Sequence, residues 1–316
     1  MATATKDTEK EQKIFSVSKS QWYFVRQRLK RNKVGMLSLN YIYFNVLLAI
    51  FYPILIASRI ADNRPGLERG LGGGANAFPN LRYPAGTDSN GLDSFSRLLA
   101  GSETSILVAL VATGLAYFIG ISLALIAGYY RGRVEEIIMR LSDLFLAFPV
   151  LIFLIMMLQI ARSPDAGNNP FATTPYIMLV AILIGFFGWP GLTRLVVAQV
   201  KQVGSLEFVH AVKIIGASDK RIIFLHIFPN VLSTIITFAA LSLGGGIIAE
   251  AGLAFLGFSD PINTVSWGVQ VQDGLARLAY NPEQVLIPGF TIFFLILAIN
   301  LFGDALRDAL DPRLKE

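Results

Sequence analysis

The sequence predicts an all-α integral membrane protein with six transmembrane helices. Three observations carry this prediction. Of 316 residues, 53% are hydrophobic and 16% charged, with a mean hydropathy of +0.55, whereas an ordinary soluble domain carries about 25% charge. Charge-free apolar runs recur along the chain, and about 20 helical residues suffice to cross a hydrocarbon layer of about 30 Å. Lys and Arg gather on alternate sides of those runs. This composition excludes a soluble enzyme, a disordered tail and a disulfide scaffold. With no Cys there is neither a thiolate metal site nor a cysteine nucleophile.

The elements follow in order. Residues 1–33 form a basic N-terminal segment. It is too long, and the apolar run after it too extensive, for a cleaved signal peptide. Within it, 21–33 reads as a basic interfacial helix with Trp22, Tyr23, Phe24 and Val25 toward lipid, or equally as a solvated lead-in. The first span covers 36–57, within a helix over 34–57. A loop over 58–103 follows, rich in Gly and Pro over 66–86. Asp88, Ser89, Asn90 and Gly91 have good turn chemistry, and Asp93 suits the cap of the helix feeding the second span. A core domain over 104–304 holds five more spans: 104–127, a short third one over 144–160, then 176–191, 227–249 and 284–303. The third span is expected to start near Ile137, with Arg140 and Asp143 at its wet end. A tail over 305–316 closes the chain. A backbone in lipid must satisfy its own hydrogen bonds, so the spans are helices. None alternates with period two, as a barrel strand would.

Direction follows from the basic residues. Nine precede the first span. With that segment placed inside, the other inside segments hold three (Arg131, Arg133, Arg140), five (Arg194, Lys201, Lys213, Lys220, Arg221) and three (Arg307, Arg313, Lys315). That makes 20 of the 27 Lys and Arg. Both termini are then cytoplasmic. The net charge of +5 is a topology signal rather than a nucleic-acid footprint.

Besides the 58–103 loop, two others exceed simple turns. The segment 257–283, on the outside, carries Trp267, Val269, Val271 and Leu275 and reads as an external stretch dipping back toward the membrane. The inside loop 194–226 carries an amphipathic helix in which Phe208, Val212 and Ile215 share a stripe. Ser205 is placed to cap that helix. Gly216 suits the residue that ends a helix in a left-handed turn. Ser218 or Asp219 would cap a second helix running into the fifth span at Pro229. Exposed apolar residues on such a hook need something to bury them, and the chain has no cytoplasmic domain to do it.

Several chemistries are missing. No phosphate-cradling Gly-x-x-x-x-Gly-Lys-Ser/Thr run occurs, and neither zinc-protease nor nucleophile-elbow motifs occur. The two His, His210 and His226, build no metal cluster. Asp143 and Glu250 lie near span ends and read as structural partners of nearby Arg or backbone groups rather than as a relay. Nothing in the chain powers transport. Any energy would come from a partner.

The hook carries a resemblance. Glu207, Phe208, Val209, His210, Ala211, Val212, Lys213, Ile214, Ile215, Gly216, Ala217 and Ser218, followed by His226, Pro229 and Asn230, resemble the "EAA" loop of ABC importer permeases. Further blocks resemble the dipeptide/oligopeptide/nickel branch, permease C type. They are the stretch from Gly86 to Asp93 with Ser96 to Gly101, and Met139 to Asp143 with Pro149. Then come Glu250 to Gly257 with Ser266-Trp267-Gly268, and the tail from Asn300 to Arg313. The first 85 residues match only loosely.

The resemblance implies an ABC type I importer permease fold. The hook would be a coupling helix seated in an ATPase cleft. Phe208, Ala211 and Val212 would supply its face and Gly216 its hinge. His210 stands where the family motif has Glu, and Val212 where it has Ala. The stretch holding Glu250, Phe255, Leu256 and Trp267 would lie near the dock of an external solute-binding protein. Gly244, Gly245 and Gly246 would line the path or pack helices. The implied assembly is this chain, a homologous permease, two ABC ATPases that bind ATP and Mg, and the binding protein. This chain would hold no cofactor and catalyse nothing. The implied cargo is peptide, with oligosaccharides or nickel chelates as alternatives. A stand-alone secondary transporter is the rival of another class; it would need mid-span acids and an internal repeat, which are not visible. A membrane-embedded enzyme would need a catalytic cluster. Asn40, Asn45, Gln159 and Asn300 do not discriminate among substrates.

Overall fold

The computed structural model describes residues 21–57, 74–162, 175–259 and 265–310. Most of the basic N-terminal segment, the 58–73 part of the first loop and the last six residues of the tail therefore lie outside the described residues. Among the described residues every regular element is helical, with a lone antiparallel bridge between Thr87 and Asp93. Among the described residues, five helices are long and apolar enough to cross a membrane, and a bent pair makes a sixth crossing if counted as one.

α1 (Gln21–Arg31) and α2 (Lys33–Ala57) are separated at Asn32, whose side chain accepts from the Gly35 N–H at 2.9 Å. Tyr23 and Phe24 are exposed, but Val25 is buried against Ala309 and Leu310. This corrects the expected lipid-facing set: Val25 pins α1 to the end of the last helix.

α3 (Ser94–Tyr130) has 37 residues, about 55 Å at 1.5 Å per residue, and outruns a hydrocarbon core of about 30 Å. It starts at Ser94, inside the stretch assigned to the 58–103 loop. Asp93 caps it, accepting from the N–H groups of Phe95 and Ser96 at 3.1 and 3.2 Å. The chain turns at Arg131 and Gly132, both with positive φ. It continues as α4 (Gly132–Ala147) and α5 (Val150–Arg162).

The third crossing departs from expectation. α4 and α5 meet at 75° instead of forming one straight span. Pro149 explains the break. It has no N–H to donate, and it pushes the preceding residue out of the helical region; Phe148 sits at φ −79°, ψ 134°. Phe187 of α6 (Tyr176–Gly204) seats the bend, with ring centroids 5.5 Å from Phe145 and 5.0 Å from Phe153.

α6 continues to Gly204, well past the expected end at 191, so 194–204 are helix rather than loop. α7 (Glu207–Ile214) follows, then the turn Asp219–Arg221 and a π-helical stretch, Ile222–Ile227, leading into α8 (Phe228–Phe255). The wide turn stands just ahead of Pro229, which cannot donate a helical bond, and the Phe228 N–H reaches back five residues to the Ile223 carbonyl. α9 (Trp267–Leu275) and α10 (Glu283–Leu310) complete the order, α10 running into the stretch assigned to the tail.

α3 and α6 form the most extensive helix pair. Small residues let their backbones meet: a Cβ on Gly128 would lie 2.6 Å from Val200, and one on Gly185 2.6 Å from the Ala112 carbonyl. The main core joins Ala124, Val196, Val200, Ile222 and Ile227, all solvent-free, so the base of the hook is continuous with the spans.

Candidate functional site

Three regions bear on function: the hook, a cap at the opposite end of the bundle, and a cleft between them.

The hook hangs from α6. Ser205 does not cap α7 as expected. Its hydroxyl donates back to the Gln202 carbonyl at 2.8 Å, and Leu206 takes the capping position with no side-chain bond. Val209 is the anchor, buried in the main core, with Val212 and Ala217 packed partly against it. Helical periodicity then turns Glu207, Phe208, His210, Ala211 and Lys213 outward. The outward apolar set corrects the predicted stripe. Phe208 and Ile215 are outward as expected, at 41% and 82% exposed, and are joined by Ile214 at 85% and by Leu206, while Val212 alone leans inward.

Gly216 ends the helix at φ +86°, where a side chain is strained. Its N–H bonds the Lys213 carbonyl at 3.1 Å, and that of Ala217 bonds the Val212 carbonyl at 3.3 Å. Ser218 holds the capping position of the next turn without a side-chain bond, and the Asp219 carboxylate instead accepts from the Tyr129 hydroxyl at 2.7 Å. Around the base, Lys201 pairs with Glu135 at 2.8 Å, Arg194 pairs with Asp143, and Arg131 donates to the Lys201 carbonyl. Asp143 is thus an ion-pair partner of an Arg, as its reading predicts.

The cap is of another kind. Arg97 is 7% exposed and sits between two carboxylates, Asp88, which is equally buried, and Asp273 at 2.9 Å. Asp88 also accepts from the N–H groups of Asn90 and Leu92, both at 2.8 Å, which is the expected turn. Gln270 donates to the Arg97 carbonyl at 2.8 Å and Gln284 to the Thr87 carbonyl at 2.6 Å. Trp267 is 1% exposed, and its ring N–H donates to the Leu98 carbonyl at 2.9 Å. Glu250 is buried and accepts from the Ser105 hydroxyl at 3.0 Å. Gly268 permits this closeness: a Cβ there would lie 2.6 Å from the Ala251 backbone. The four residues assigned to this segment therefore divide. Glu250 and Trp267 are interior, whereas Phe255 and Leu256 are exposed, at 44% and 49%. The pairing of Arg97 with Asp273 escaped the sequence reading, because it spans 176 residues of chain.

A cleft of about 390 Å³ opens between α3, α6 and α8. The three glycines separate here. Gly244 faces Ile296, 3.4 Å from where its Cβ would lie, and Gly246 faces Ala109 at 3.2 Å. Gly245 has nothing within 4 Å, and both Gly245 and Gly246 line the cleft. On its wall the Tyr117 and Ser242 hydroxyls share a hydrogen bond of 2.8 Å. Only the relative placement of three helices reveals this cleft.

Comparison with known proteins adds to these features. Residues 120–316 match the family described as binding-protein-dependent transport system inner membrane component. Residues 20–67 match the N-terminal transmembrane domain of oligopeptide transport permease C, so the first part of the chain carries more family signal than its residues suggested. A dipeptide transport system permease protein, DppC, of Alkalihalophilus pseudofirmus is 35% identical, over 94% of this chain and 91% of its own. An oligopeptide transport system permease protein, OppC, of Bacillus subtilis is 32% identical, over 96% and 94%. A glutathione transport system permease protein, GsiD, of Pectobacterium atrosepticum is 34% identical, over 76% of each chain.

Proposed function

The chain belongs to the binding-protein-dependent ABC importer permeases, and from that membership we infer that it is one of two homologous permease subunits importing peptides at the expense of ATP hydrolysed elsewhere. Its relatives bear the names of dipeptide, oligopeptide and glutathione permeases. Short peptides are the cargo this reading assigns.

The observation that carries it is the hook. Phe208, Ile214 and Ile215 stand exposed on a short helix anchored by Val209. Exposed apolar residues on a rigid mount suit a groove on another protein. In this reading the hook seats in an ATPase subunit that binds ATP and Mg. Closure of two such ATPases draws the paired hooks together. The continuous core from Val209 through Val200 and Ile227 carries that movement into α3, α6 and α8. The hook end and both termini are cytoplasmic, following the bias of Lys and Arg, and the membrane is the prokaryotic inner membrane. The cap then faces the solute-binding protein.

The test is reconstitution. Vesicles holding this chain, its homologous permease, the ATPases and the binding protein should accumulate a radiolabelled dipeptide only with internal ATP. Uptake by the purified chain alone without ATP would sink the reading in favour of a secondary transporter. Orientation has its own assay. The chain has no Cys, so Lys213→Cys should react with an impermeant maleimide in inside-out vesicles and not in spheroplasts.

A further inference from the structure

The coupling role leaves the cleft between α3, α6 and α8 unused. Its depth is informative. Tyr117 lies well inside the 37-residue α3, and Ser242 lies midway along α8, so their hydroxyls sit near the middle of the membrane. A hydroxyl at that depth is costly against lipid, and polar groups there face a bundle interior or a wet cavity. Here they bridge two helices at 2.8 Å on the wall of a concavity of about 390 Å³, with Thr113 one turn away.

Two further facts narrow the occupant. Among the described residues, the lining holds no charged side chain. The wall is also stripped of side chains where it opens: a Cβ on Gly191 or Gly245 would meet nothing within 4 Å, whereas one on Gly188 would meet Ala116 at 3.2 Å. A solute passing here finds no counter-ion. It finds hydroxyls, which both donate and accept, and bare backbone that allows close approach. That chemistry matches the amide N–H and C=O groups common to all peptides.

The geometry points to Thr113, Tyr117, Ser242, Gly191 and Gly245 as this subunit's wall of the translocation path. It is a neutral wall that engages the amide backbone of a peptide through hydroxyls and does not sort peptides by side-chain charge. This rests on the permease reading above.

The test uses the complete transporter in proteoliposomes, with single cysteines in an otherwise Cys-free chain. Gly245→Cys should react with a charged methanethiosulfonate reagent, and saturating dialanine should slow that reaction. Gly244→Cys, packed against Ile296, and Phe118→Cys, on an outer face, should react at least ~10-fold more slowly, because a thiol away from water forms little thiolate. In a second arm, Ser242→Asp places a fixed charge on the wall and should shift uptake of Ala-Lys relative to Ala-Glu by about tenfold toward the cation. The wild type should take up the two at similar rates. If wild-type uptake is ATP-dependent but Gly245→Cys is unreactive, or reacts without protection by dialanine, the wall assignment is wrong. If the Ala-Lys to Ala-Glu ratio already differs widely in the wild type and Ser242→Asp leaves it unchanged, the neutrality claim is wrong. If the wild-type transporter shows no ATP-dependent uptake, the permease reading falls and takes this inference with it.

Discussion

The two ends of the bundle solve opposite problems. At the cap, charged and aromatic groups are buried and bonded to one another: Arg97 to Asp88 and Asp273, Trp267 to Leu98, Glu250 to Ser105. At the hook, apolar groups stand in the open, and the ion pairs beneath them, Arg194 with Asp143 and Lys201 with Glu135, are partly exposed. The cap is finished by its own residues. The hook leaves Phe208, Ile214 and Ile215 uncovered. A rigid cap and an incomplete hook suit a subunit whose energy arrives at one end and is transmitted through packed helices to the other.

The contrast can be broken most easily at the cap. Arg97→Met leaves the buried Asp88 carboxylate without its partner and should cost about 3–5 kcal/mol, read as a fall in the thermal unfolding midpoint of the detergent-purified protein. Arg194→Met removes an ion pair about half exposed on both sides and should cost about 0–1 kcal/mol. Equal shifts from the two variants would erase the distinction between the ends.

Smaller changes sharpen it. Trp267→Phe keeps most of the ring's packing and deletes the ring N–H that donates to the Leu98 carbonyl of α3. Its expected cost is about 1–2 kcal/mol in the same assay. Gly216→Ala meets no atom within 4 Å but forces a side chain into φ +86°, at about 1 kcal/mol. Its larger effect should fall on function, because the turn that aims α7 would relax. ATP hydrolysis that no longer responds to the binding protein, in a subunit that still folds, is the expected signature.

Much of this was legible in the residues, and the rest was hidden for physical reasons. Spans are a property of composition over a window, so their number and order survive without geometry. Caps and turns are local, and Asp93, Asp88 and Gly216 behave as their neighbours dictate. The break at Pro149 was visible as a proline within an apolar run, yet hydropathy alone drew a straight span through it. Of the Phe208, Val212 and Ile215 stripe, Phe208 and Ile215 stand outward as expected and Val212 alone turns toward the core. Periodicity gives the face of a helix, but only Val209 entering the core says which way the face turns. Arg97 with Asp273, and Tyr117 with Ser242, join residues 176 and 125 positions apart, and no local pattern announces such pairs. The cleft is further removed still, because it belongs to three helices at once.

The hook's role as the docking surface for an ATPase is the claim on which the rest turns. Ile215→Asp, at a position 82% exposed, should leave the thermal midpoint of the isolated subunit unchanged, since surface substitutions are usually within about 0.5 kcal/mol. It should at the same time abolish co-purification of the ATPase subunits with the permease pair and with it ATP-dependent dipeptide uptake. Stoichiometric ATPase and undiminished uptake in the Ile215→Asp transporter would contradict the docking role.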